Sequence, residues 1–180
     1  QILNLAIDGT VLHTFDTPGL HHPFTDLPDG SVAWAAEEGS YDNELVKIVH
    51  RDDSVDTLFD CQAWLAEAGI GGWCGSNTLS YRPETDRYLF SLFSIETIVE
   101  IDGTTGQATR WFGHAPGSWG FDPPGSAFWW QHGGYVTDAG TLLTSADSTA
   151  DGGETIIREY TFDDAHETLD AVWTFGIGEG

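Results

Sequence analysis

Three polar residues, His22, Asn77 and His132, are evenly spaced along this chain: the step from 22 to 77 equals the step from 77 to 132. Each lies four residues before a landmark, at Asp26, Tyr81 and Val136, that leads through a turn into a short apolar segment. A fixed period of this kind means repeated structural units stacked side by side. The three polar side chains then occupy one equivalent position in three neighbouring units.

Each unit reads as four short strands joined by tight turns, with Pro, Gly, Asn and Asp at the bends. The second unit, for example, runs Asn77–Tyr81, Tyr88–Leu92, Thr97–Ile101 and Thr109–Gly113. The 22 Gly and 8 Trp suit such an all-β chain. Four-stranded units of this length predict a β-propeller. A β-sandwich or jelly roll would not repeat one polar position at a constant step. Expected boundaries are a half blade over 1–17 and blades over 18–69, 70–126 and 127–180, all within one propeller domain. A turn or two of helix is expected near Trp64–Ala68. About three and a half blades cannot close a ring, since propellers have about four or more. The remaining blades of a longer protein, or other copies, are expected to complete it. The opening Gln1-Ile2-Leu3 reads as the inside of a strand, so a preceding part is expected.

Six Lys+Arg against 29 Asp+Glu give a net charge of −23. Phosphate contacts need clustered cations, so a nucleic-acid partner is excluded. The acid reads as solubility, with calcium binding as the alternative, although Asp147–Glu154 lacks the alternation of an EF-hand loop. Cys61 and Cys74 form no CxxC pair; they read as a local disulfide in an exported, periplasmic or extracellular protein, or else as two buried thiols. No apolar run is long enough to span a membrane.

The first strand of a blade lines the central channel, which places His22, Asn77 and His132 around one mouth. A neutral imidazole serves as nucleophile or general base, and an amide can donate to a developing oxyanion. Around His132 the sequence Phe128-Trp129-Trp130-Gln131-His132-Gly133-Gly134 offers aromatics to hold a planar substrate, unless Trp129 and Trp130 pack between blades. His21 sits beside His22 as a further substrate-binding candidate. No cofactor is called for, and the His spacing matches no metal motif. His13, His50 and His166 read as structural or surface residues.

Gln131-His132 before a Gly-turn strand, Ile98–Asp102 followed by Thr105-Gly106, and Tyr160–Phe175 resemble the bacterial arylsulfate sulfotransferases. The resemblance implies a six-bladed propeller, exported, that moves a sulfuryl group from a phenolic sulfate ester to a phenol through a sulfohistidine. It makes His132 the nucleophile, Asn77 the Asn of the family's His-x-Asn motif, and His22 a further channel residue. Two positions depart: Gly75 stands where that motif has His, and Phe93 stands at or near the family's active-site Arg. Losing one such donor costs about 3 kcal/mol of transition-state stabilisation, or ~100-fold. The rival reading is a non-catalytic propeller that binds a small ligand or a protein. A metal-dependent hydrolase or lactonase-type propeller is a third, with Asp26 and Glu96 as the nearest acidic candidates.

Overall fold

A computed structural model of the 180-residue chain describes residues 1–176. Strands β1 (Ile2–Leu5) and β2 (Val11–Phe15) pair as an antiparallel hairpin. Next comes an antiparallel meander of β3 (Leu20–Asp26), β4 (Val32–Glu38), β5 (Ser40–Val49) and β6 (Val55–Asp60). The helix α1 (Cys61–Ala68) follows, N-capped by Asp60, whose side chain accepts from the Ala63 N–H. A second meander holds β7 (Ser76–Arg82), β8 (Arg87–Leu92), β9 (Thr97–Asp102) and β10 (Ala108–Gly113). The last sheet contains β11 (Gly120–Asp122), β12 (Trp129–Val136), β13 (Leu142–Thr149), β14 (Gly152–Asp163) and β15 (Thr168–Phe175). Its order is β11-β15-β14-β13-β12, so the short β11 joins as an unforeseen fifth strand, parallel to β15.

The sheets stack face to face as propeller blades, with β3, β7 and β12 innermost and adjacent. The Ser80 hydroxyl on β7 donates to the Gly134 carbonyl on β12 at 3.1 Å. Blade position explains the sequence pattern. The middle blade has a neighbour on each side, and β8 and β9 are correspondingly almost continuous apolar runs, Tyr88–Leu92 and Thr97–Ile101, buried throughout. The last blade is covered on one side, and β13 and β14 alternate buried with less buried residues. One core joins the first two blades through Val46, Phe59, Trp64, Leu79, Phe90 and Val99. Another joins the second and third through Leu89, Ile98, Phe112, Leu142, Ile156 and Tyr160. Cys61 and Cys74 are disulfide-bonded with Cα atoms 6.1 Å apart, which ties α1 to the start of the middle blade.

The phrase Asp102-Gly103-Thr104-Thr105-Gly106 folds as its residues dictate. The Asp102 carboxylate accepts from the N–H groups of Thr104 (3.0 Å) and Thr105 (2.7 Å) and from the Thr105 hydroxyl. These donors hold the Asp102 carboxyl below its ordinary range. Gly106 then turns the chain at φ +69, in the left-handed region.

Candidate functional site

Each innermost strand is bulged at the repeated position. The ladder slips between Leu20 and Phe24 on β3, between Ser76 and Thr78 on β7, and between Trp129 and Gly133 on β12. His22, Asn77 and His132 therefore sit in three equivalent bulges at the same end of the strands. A bulge lifts its residues out of the ladder and re-aims their side chains. The period read in the sequence is thus the period of a bulge on the innermost strand.

The three do not touch one another. The Asn77 amide donates to the Gln131 carbonyl at 3.4 Å, which ties it to β12. His22 is exposed and stacks obliquely on His21, with ring centroids 3.8 Å apart. His132 is exposed and lies 5.1 Å from the Phe93 ring. Its Nδ1 is 3.1 Å from the Trp130 carbonyl. A carbonyl only accepts, so in the neutral ring Nδ1 carries the proton and Nε2 keeps its lone pair.

His132 belongs to a shallow pocket of about 380 Å³ with Phe93, Trp130, Asp147, Ala150, Asp151 and Gly152. Trp130 adopts φ +50, unusual for a bulky side chain. Its indole N–H donates to the Ala150 carbonyl at 3.0 Å, and its ring leans on Phe93 at 5.3 Å. Trp129 does not line this pocket. It stacks on His114 at 3.6 Å and 18°, so of the two tryptophans only Trp130 faces it. A hollow of similar size between α1 and Gly106–Trp111 lies away from the bulges and carries no titratable group beyond Asp60 and Glu67.

Asp147 and Asp151 belong to the acidic stretch weighed for calcium, but their place beside His132 was not foreseen. Asp26 and Glu96 line neither the His132 pocket nor the cluster around His21. Instead Asp147 and Asp151 stand by His132, and Glu37 and Glu44 by His21. Three residues beyond Trp34, Phe90 and Thr144, which pair with the inner strands past each bulge, stand Glu37 on β4, Phe93 just after β8 and Asp147 on β13. Aligning the second strands would have brought these three together.

The cations are all elsewhere. Arg82, Arg87 and Arg110 surround the buried Glu100, with Arg110 Nε at 3.0 Å and Arg87 also paired with Asp102. Arg110 reaches on to Asp164 at 2.7 Å and lies over the Trp119 and Phe162 rings, which fastens the middle blade to the last one. Arg158 is buried and donates to the Ser126 and Ala127 carbonyls. Lys47 pairs with Glu38, and Arg51 packs over Gly30. Neither Arg110 nor Arg158 takes the place of the Arg expected near Phe93.

Among the described residues no helix is long and apolar enough to cross a membrane. No protein-family model matches this chain. No curated protein matches it either. Among solved structures, the chain is similar to a presumed 6-phosphogluconolactonase from Bacteroides uniformis, with a TM-score of 0.55 and 16% identity over 96% of this chain and 50% of that one. It also matches the β-propeller domain of Myceliophteria thermophila Cps50 (Swd1), with a TM-score of 0.47 and 16% identity over 81% of this chain and 43% of that one. The chain therefore spans about half the length of these structures or less. At such identity a likeness speaks to fold alone; the four-stranded sheets stacked with β3, β7 and β12 innermost make this chain an arc of an all-β propeller.

Proposed function

We propose that the chain is part of an exported, ligand-binding β-propeller, and that the pocket beside His132 takes a small organic cation. One observation carries this: Asp147 and Asp151 line the pocket with the aromatic side chains of Phe93 and Trp130, while none of the six Lys and Arg side chains lines it. Aromatic faces and carboxylates attract ammonium groups by their quadrupole and charge. The same carboxylates repel a sulfate ester, and at −23 the whole chain steers anions away. The Cys61–Cys74 disulfide supports an oxidising compartment. Further blades, or another copy, complete the ring.

Sulfuryl transfer is the second reading, favoured by one detail. The Trp130 carbonyl fixes the imidazole so that Nε2 keeps its lone pair, as a nucleophile requires. His132 Nε2 would bond to sulfur as the phenolate leaves, and a phenol acceptor would then take the sulfuryl group. The cations that must offset charge on the sulfate oxygens would have to come from outside this arc.

Titration of tryptophan fluorescence with tetramethylammonium, and separately with 4-nitrophenyl sulfate, distinguishes the two. The expected result is saturable quenching by the cation, weakened about tenfold or more in Trp130→Ala and in Asp147→Asn. A sulfuryl adduct on His132 after incubation with the aryl sulfate, with no response to the cation, would reverse the assignment.

A further inference from the structure

The second acidic cluster lies at the first blade, away from the His132 pocket. On the β4–β5 ladder Glu37 is directly opposite Glu44. Like charges facing each other across a sheet oppose pairing. Glu44 has no exposure at all. Its two carboxylate oxygens accept from the Ser76 N–H on the next blade at 3.2 and 3.1 Å, and His21 Nδ1 stands 3.0 Å from Oε1. The same Nδ1 is 3.6 Å from Glu37 Oε1. That Glu37 oxygen is sealed from solvent and has no hydrogen-bond partner. The Ser76 hydroxyl, on the residue whose N–H grips Glu44, is in the same position, in a residue only 1% exposed. Two carboxylates therefore meet around one imidazole, with two buried oxygens left unsatisfied.

We propose that His21, Glu37 and Glu44 bind a divalent cation of the zinc class. The candidate ligand atoms of the three lie within 4.8 Å of one another. Zinc bonds to imidazole nitrogen and carboxylate oxygen are about 2.0–2.2 Å, which puts neighbouring ligands of a tetrahedral ion about 3.4 Å apart. The His21–Glu44 and His21–Glu37 separations of 3.0 and 3.6 Å bracket that value. One nitrogen with two carboxylates suits zinc or manganese better than calcium, which takes six to eight oxygens. A divalent ion would draw the two facing carboxylates together and would meet the Glu37 oxygen that has no hydrogen bond. Such an ion would clamp the bulge of β3 to the β4–β5 hairpin and, through Glu44, to Ser76 of the next blade. A fourth position would remain for water beside His22.

The test is titration of chelator-treated full chain with zinc, in excess magnesium to mask general acidity, followed by calorimetry and thermal unfolding. One saturable site and a higher Tm are expected. Glu37→Gln is the diagnostic variant, because its partly exposed side chain spares the fold better than Glu44 would. It should weaken binding at least about 100-fold, the upper end of what even outer-shell changes cost. Glu38→Gln, an exposed acid next in sequence, should leave the affinity unchanged. Absence of a saturable site, or equal affinity in Glu37→Gln and the parent protein, would overturn the proposal. Neither measurement involves the His132 pocket, so the two assignments stand or fall separately.

Discussion

Glu96 shows how one side chain can set part of the pH response. It sits at φ +51, closing the turn between β8 and β9. Burial raises its carboxyl above the ordinary glutamate range, and His114 pulls weakly the other way. A raised carboxyl means the folded state holds its proton longer than the unfolded chain does. Its contribution to stability is then full below the unfolded value and lost as pH rises through the folded one. Glu96→Gln should therefore be more stable than the parent at neutral pH, by about 0.5 kcal/mol, the scale of a near-surface change. Urea midpoints at acid and neutral pH would show this as a flatter dependence in the variant; an unchanged slope would sink the argument. The sequence made His22, Asn77 and His132 legible because their spacing is constant. It hid Glu37, Phe93 and Asp147, because the step from 37 to 93 is not the step from 93 to 147. The reason is physical: the turn from β7 to β8, between the paired Arg82 and Arg87, holds one residue more than the turns closed by Leu27 with Ser31 and Thr137 with Thr141, so the second strand of the middle blade falls out of the constant step.

At the scale of elements, the blades are held by close backbone approaches as well as by side chains. A Cβ at Gly106 would lie 1.9 Å from the Leu58 carbonyl oxygen on β6, and the position is left-handed besides. Gly106→Ala must push the β9–β10 turn off the first blade, at a cost of about 2 kcal/mol or more once strain and clash combine. Chemical denaturation measures it directly, and a loss under half that size would mean the blades separate without penalty. The Asp-x-x-Thr-Gly phrase announced a turn, but nothing in it announced the neighbouring carbonyl. The helix α1 was legible from Trp64–Ala68, and the disulfide from two cysteines 13 apart. The short β11 was not, because three residues paired to a distant strand leave no periodic trace. The role of Arg110 was equally hidden. Its place on an outer strand was readable, while its grip on Glu100 and Asp164 across two blades needed the fold.

For the whole molecule, the arc presents an apolar face where the next blade of a ring would lie. Tyr135, Leu143 and Trp173 share one row across the last sheet, broken by Glu159 between the last two, and Ile157 and Phe175 lie in the next, all on the side away from the middle blade. Trp173 and Phe175 are about half exposed and stack on each other. Large apolar side chains exposed together around one acidic residue mark an interaction surface. The 180-residue chain made alone should self-associate through it, and Trp173→Ser with Phe175→Ser should shift light-scattering mass toward a single copy. A monodisperse monomer before mutation would count against a ring closed on this side. The period gave away the four-stranded repeat and its equivalent bulges, whereas the open face could be read only after burial separated the two sides of β14 and β15. The bulges have one more consequence. Their residues contribute little to the ladder, so the chain can exchange them without renegotiating its strand pairing. The mouth is therefore the part of this protein most free to vary by descent or by design, and libraries randomised at 22, 77 and 132 should keep the blades intact while changing what the opening accepts.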